Sequence, residues 1–247
     1  TGGNDHLGLL ERFAKLLPEL VIVGTFKSID GDGWVAGKPA QMLGFHTAFS
    51  VYQKELWAIV QNAYTHKQWH VVETFGRNCG RLAYEAGSKY PINFAELSKE
   101  EQRKIIEFRD LVMIIVPEKP TSLRSIAEEA RRIKKQEGGV VVVVSEGFMP
   151  PELKSEMLRL GQDKELHERW INHNLPVESV SELILSQGEG SPSDDLKKIL
   201  TDPELAAQFA KTTWQSTFDP HGNVTKLAGI SKFIIKASEI LAGSSKV

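Results

Sequence analysis

Between residues 24 and 33 the chain reads Gly24-Thr25-Phe26-Lys27-Ser28-Ile29-Asp30-Gly31-Asp32-Gly33. A lysine, hydroxyls, two carboxylates two residues apart and three glycines share this short stretch. Glycine lets backbone close on a ligand, and lysine offers a point charge to phosphate. One aspartate can take a proton from an attacking hydroxyl, and a second can help to hold Mg²⁺. The same residues also make a plain glycine-rich turn. They lack the later ligands and terminal Glu of an EF-hand. On residue chemistry alone, a phosphate site and a plain turn are equally open.

Three further stretches carry suitable groups. Gly2-Gly3-Asn4-Asp5 precedes a helical pattern, and free N–H groups at a helix start can hold an anion. Glu73-Thr74-Phe75-Gly76-Arg77-Asn78-Cys79-Gly80-Arg81 follows an apolar run. Gly76 permits a sharp turn there, and Arg77 can grip a phosphate with both arms; a solvated arginine in a helix's first turn is the simpler reading of these residues alone. Ser145-Glu146-Gly147 ends a run of valines, where a carboxylate can bind substrate hydroxyls or serve as a helix-start acid. Cys79 is expected as a small packed residue.

The elements that position these loops follow from hydrophobic period. Residues 20–24, 69–73, 111–116 and 140–144 are short β-branched runs, apolar throughout, the pattern of strands covered on both faces. Helical spacing covers residues 7–17, ended by Pro18, and 44–64, with shorter helices starting near Gly76 and Ser122. Strand–helix alternation predicts an α/β fold of three layers: Rossmann-like parallel sheets with flanking helices. Ligands of such sheets sit at the carboxyl ends of strands. From about Pro150 the chain reads as mainly helical and polar, with an exposed loop at 186–193. A helix starts at Thr201-Asp202-Pro203-Glu204, and a final helix covers 228–241.

Composition bounds the function. The 247 residues are 41% hydrophobic and 25% charged, an ordinary folded domain, with net charge -2. That balance predicts no nucleic-acid partner and no anionic membrane surface. One cysteine excludes an internal disulfide framework and fits a reducing compartment. No apolar run reaches membrane-spanning length. The N-terminal residues lack the pattern of a signal peptide and read as a loop in mid-fold.

Taken in order, Lys27-Ser28-Ile29-Asp30-Gly31-Asp32, Gly44-Phe45-His46-Thr47-Ala48, Phe75-Gly76-Arg77 with Gly80, Val116-Pro117-Glu118 and Ser145-Glu146-Gly147 resemble the phosphofructokinase family over about residues 1–150. Phe148-Met149-Pro150-Pro151-Glu152 and Asp219-Pro220-His221-Gly222-Asn223-Val224 resemble its pyrophosphate-dependent branch. The resemblance implies transfer of a phosphoryl group to the 1-hydroxyl of fructose 6-phosphate, giving fructose 1,6-bisphosphate. Asp30 matches the general base, and Asp32 the aspartate near the metal and the transferring group. Ser28 keeps the hydroxyl of the usual threonine. Phe75, Gly76 and Arg77 match the sugar-phosphate loop, and Glu146 the acid that holds sugar hydroxyls. Gly3, Asn4 and Asp5 fall on the family's donor-phosphate loop. Lys27 and Asp5 stand where pyrophosphate users carry Lys and Asp and many ATP users carry Gly.

Mg²⁺ is the implied cofactor, with Asn4 and Asp32 beside it. Asn4 stands in place of an aspartate, offering an oxygen without the charge. Gly31 replaces an asparagine, which is expected to loosen the turn. An ATP-dependent enzyme and a catalytically weak regulatory subunit are the alternatives. The resemblance also implies a cytoplasmic homodimer or homotetramer and a partial chain, with a glycine-rich phosphate loop before residue 1 and a substrate segment after Val247. Its implied organisation places the donor-phosphate domain at 1–90, the sugar-phosphate domain at 91–150, and a mainly helical insertion and return at 151–247.

Overall fold

A computed structural model describes residues 4–35, 37–89, 93–162, 193–214 and 229–242. Its centre is a three-stranded parallel sheet of β5 (Trp69–Thr74), β6 (Val112–Ile115) and β7 (Val140–Ser145), in the order β5-β7-β6. Trp69 pairs with Val140 and Thr74 with Ser145, while Val112 pairs with Val141. All six residues of β7 are buried.

The valine run has no polar face because both of its faces are covered. Val140, Val142 and Val144 pack into one core with Ile126, Ala130 and Ile133 of α5 (Leu123–Glu137). Val141 and Val143 point the other way, into a core with Leu56, Trp57 and Val60 of α2 (Phe45–His66) and Ala83 and Ala86 of α3 (Arg81–Ser88). The period of two along a strand assigns alternate valines to alternate layers. The chain crosses from β5 to β6 through α3 and α4 (Lys99–Phe108), and returns to β7 through α5. Ser98 and Glu101 close a capping box on α4, and Ser122 caps α5.

The first core also takes in the later helices. Beyond α6 (Pro151–Gln162), the helices α7 (Asp194–Leu200), α8 (Pro203–Trp214) and α9 (Ile230–Ala242) supply Leu196, Ile199, Phe209, Phe233 and Ile234 to it. As expected from Asp202-Pro203, the Asp202 carboxylate accepts from Glu204 and Leu205 N–H at 2.9 and 3.0 Å. Most of the exposed loop expected at 186–193, and the segment Asp219–Val224, lie outside the described residues.

The strand expected at 20–24 is absent. Those residues run irregularly between α1 (Asn4–Leu16) and β1 (Lys27–Ser28), with Val21 93% and Val23 80% exposed. A β-branched run is only competent to pair, and no described strand pairs with it. β1 instead pairs in parallel with β4 (Leu43–Gly44), and the hairpin of β2 (Trp34–Val35) and β3 (Lys38–Pro39) lies between them in sequence. The helix expected near Gly76 starts five residues later, at Arg81, because residues 75–80 form the loop itself. No described helix is long and apolar enough to cross a membrane.

Candidate active site

Three loops of interest gather at one end of the sheet. Residues 75–80 follow the carboxyl end of β5, and residues 146–150 follow that of β7, the neighbouring strand. Their backbones touch. The Glu146 N–H donates to the Thr74 carbonyl at 2.8 Å, and the buried Ser145 hydroxyl donates to the Gly76 carbonyl. A Cβ added to Gly147 would lie 1.5 Å from the Arg77 carbonyl oxygen, so only glycine admits this approach. Gly76, at φ 127°, turns the chain where a Cβ would lie 2.1 Å from the Cys79 carbonyl oxygen. Arg77 and Glu146 are thereby brought together on adjacent loops. Glu146 is 8% exposed, and Phe75 is 45% exposed at the mouth of the loop.

The far end of the 75–80 loop is held by Glu118, in the loop after β6. Its carboxylate accepts from the Gly80 N–H with both oxygens, at 2.8 and 3.1 Å. The near end is held by Tyr52 of α2. Its ring meets the Phe75 ring edge-on at 6.1 Å, and its hydroxyl bonds the Phe75 backbone. Burial pushes the Tyr52 hydroxyl up, and the charges of Glu146 and Glu73 add to that. Tyr52 carries no motif, and nothing in its sequence context marks it. Glu118 stands in a quoted motif, yet its contact with Gly80 spans 38 positions and is invisible locally.

The Lys27–Asp32 stretch lies beside this floor. Ser28 accepts from the Asp30 N–H at 3.2 Å, a local turn that orders the first aspartate. Ser28, Asp30 and Asp32 are half-buried, and Lys27 is exposed. Gly31 is buried at φ 77°, and a Cβ there would meet the Phe45 ring at 2.6 Å and Arg81 Cδ at 2.9 Å. The turn expected to be loosened by glycine is packed against α2 and α3 instead. Burial raises the Cys79 thiol, and the charges of Glu118 and Asp32 add to the shift. Cys79 is a packed residue, as expected, at 8% exposure.

Asn4 and Asp5 lie in the first turn of α1, with their side chains outside the described part of the structure, and Gly3 lies outside it altogether. Among the described residues no three His, Cys, Asp or Glu side chains form a metal cluster. Mg²⁺ often takes only one or two protein carboxylates and completes its shell with water and substrate phosphates, a mode that Asp32 alone fits.

The chain matches the family model for phosphofructokinase over residues 1–187. It is 28% identical over 161 residues to a pyrophosphate–fructose 6-phosphate 1-phosphotransferase of Amycolatopsis methanolica, covering 65% of this chain and 40% of that protein. It is 27% identical over 158 residues to an ATP-dependent 6-phosphofructokinase of Staphylococcus carnosus, covering 64% and 42%. A pyrophosphate–fructose 6-phosphate 1-phosphotransferase of Propionibacterium freudenreichii is 28% identical over 169 residues, covering 66% and 41%. The chain spans about two fifths of the length of these curated relatives.

Proposed function

The chain belongs to the phosphofructokinase family, and on that premise we propose that it carries a site for moving a phosphoryl group from pyrophosphate to the 1-hydroxyl of fructose 6-phosphate. The observation that carries this reading is the backbone contact between Gly147 and Arg77, which holds together the two loops that bear Arg77 and Glu146 at neighbouring strand ends. Phosphoryl transfer needs positioning and charge neutralisation more than covalent chemistry.

In this reading Arg77 pairs with the sugar phosphate, while the backbone of Phe75 and Gly76 and the Glu146 carboxylate seat the sugar. Asp30 takes the proton from the 1-hydroxyl, and the Ser28 hydroxyl holds the Asp30 N–H. Lys27 offsets charge on the transferring and leaving phosphates. Asp32, with Asn4, would hold Mg²⁺, which when bound supplies neutralisation of phosphate charge. Gly3, Asn4 and Asp5 line the donor phosphate. Fructose 6-phosphate, pyrophosphate, a homodimer or homotetramer and a cytoplasmic setting belong to the same proposal.

Lys27 and Asp5 support pyrophosphate as the donor. The second reading, ATP as donor, is favoured by the similar identity of the ATP-dependent relative, 27% against 28%. Phosphorus NMR of the protein with fructose 6-phosphate, Mg²⁺ and each donor in turn tests the proposal. Fructose 1,6-bisphosphate should appear with pyrophosphate, and Asp30→Asn should lower kcat by about 10²- to 10⁴-fold, the usual share of a general base. Product from ATP alone would overturn the donor reading, and an unchanged Asp30→Asn rate the role of Asp30.

A further inference from the structure

Arg81 opens α3, and its side chain leaves that helix toward the Asp30–Asp32 turn. Its guanidinium carbon stands 4.3 Å from the centroid of the Phe45 ring. Its Nε donates to Glu85 Oε1 at 2.7 Å, and its Nη1 reaches the Gly31 carbonyl oxygen at 3.5 Å. Glu85 accepts again from Lys89 Nζ at 2.6 Å, and that ammonium lies 5.3 Å from the Phe49 ring centroid. Phe45 and Phe49 stack with an interplanar angle of 9°. Arg81 of α3 and Lys89, just past its end, thus rest on two rings of α2, joined through one carboxylate. The side chains of Arg81 and Glu85 are 22% and 17% exposed.

Resting on the function proposed above, we propose that Arg81 is a positioning residue for phosphoryl transfer, the wall that holds Gly31 and so fixes the two aspartates relative to each other. Glycine has the widest backbone freedom of any residue, and here it separates two carboxylates whose geometry matters. Something outside the turn must remove that freedom. The 3.5 Å polar contact is too long to do so. Packing does it: Arg81 Cδ and the Phe45 ring lie within 2.9 Å of the place where a Gly31 Cβ would stand. Arg81 is itself held over Phe45 by the bond to Glu85, a fixed fork that a guanidinium offers and an ammonium does not. The arrangement links three segments far apart in sequence, which explains how a glycine serves between the aspartates.

The test uses the whole protein and two readouts. Arg81→Met keeps most of the stem but loses the plane and the Glu85 bond. It should lower kcat about tenfold or more with the fructose 6-phosphate KM within about twofold, because Arg77 and Glu146 stand on other loops. Hydrogen exchange of the amides of residues 29–33 should quicken by a similar factor, while the β5 and β7 amides stay protected. Should the Met variant fail to fold, Arg81→Lys repeats both measurements, with a smaller effect in the same direction. Unchanged kcat with unchanged exchange at residues 29–33 would overturn the proposal. So would a fall in kcat without faster exchange. If the unaltered protein transfers no phosphoryl group from either donor, the function above fails, and exchange alone decides whether Arg81 holds the turn.

Discussion

Replacing Gly147 by Ala attacks the contact on which the proposed sugar-binding half of the site depends. The added Cβ would stand 1.5 Å from the Arg77 carbonyl oxygen and 2.2 Å from the Arg77 carbonyl carbon. Both are backbone atoms, so no side chain can swing away. To restore 3.0 Å the two loops must part by about 1.5 Å, and displacement on the order of 1 Å at a reacting geometry costs roughly 100-fold. Overpacking of this kind also costs about 1–3 kcal/mol in stability. Two assays separate these effects: urea unfolding for the fold, and calorimetric titration with fructose 6-phosphate for the site. We expect a folded protein of lower midpoint whose sugar-phosphate affinity falls about tenfold or more, the loss of one hydrogen bond to a charged group. A variant with unchanged stability and unchanged affinity would refute the contact and the reasoning built on it.

Gly8→Ala is the matched control: it lies in α1 with nothing within 4 Å of an added Cβ, so thermal unfolding should show a gain of up to about 1 kcal/mol. At Glu85, burial pushes the carboxyl up, yet the bonds from Lys89 and Arg81 outweigh burial and leave it below 4.5. A lowered carboxyl stabilises the fold above its unfolded value and loses that contribution as pH falls through the folded one. Glu85→Gln should therefore cost about 1 kcal/mol near neutral pH; the gap should close below pH 4.5, and a pH-independent gap would contradict the pairing. The Cys79 thiol, raised by burial, should react slowly with an aromatic disulfide reagent in the native protein and fast once unfolded.

Much of the central sheet was legible because its strands are apolar on both faces. Val140–Val144 can only be a covered strand, and alternate valines do enter different cores. The error at residues 20–24 has the same root. Composition specifies what can pair, and the partner is not encoded in those residues. The α4 helix goes unread in the sequence although Ser98 and Glu101 form a capping box three residues apart, because its polar sequence hides the stripe of Ile105 and Phe108. In the site, the ordered motifs point to the loops and Gly76 to a sharp turn, while the close approach at Gly147 shows only in the fold. The supports did not show, because each acts across the chain: Tyr52 on Phe75, Glu118 on Gly80, Arg81 on Gly31. Gly31 read alone suggests looseness. Against Phe45 and Arg81 it is the residue that lets the turn pack.

The central claim, a donor site for pyrophosphate beside Asp30 and Asp32, is tested most directly by calorimetric titration with Mg-pyrophosphate and, separately, Mg-ATP. The account predicts that pyrophosphate binds, that Lys27→Gly weakens it about tenfold or more through loss of a charge-assisted phosphate contact, and that ATP does not bind. Binding of ATP without pyrophosphate, or pyrophosphate binding indifferent to Lys27, would contradict it.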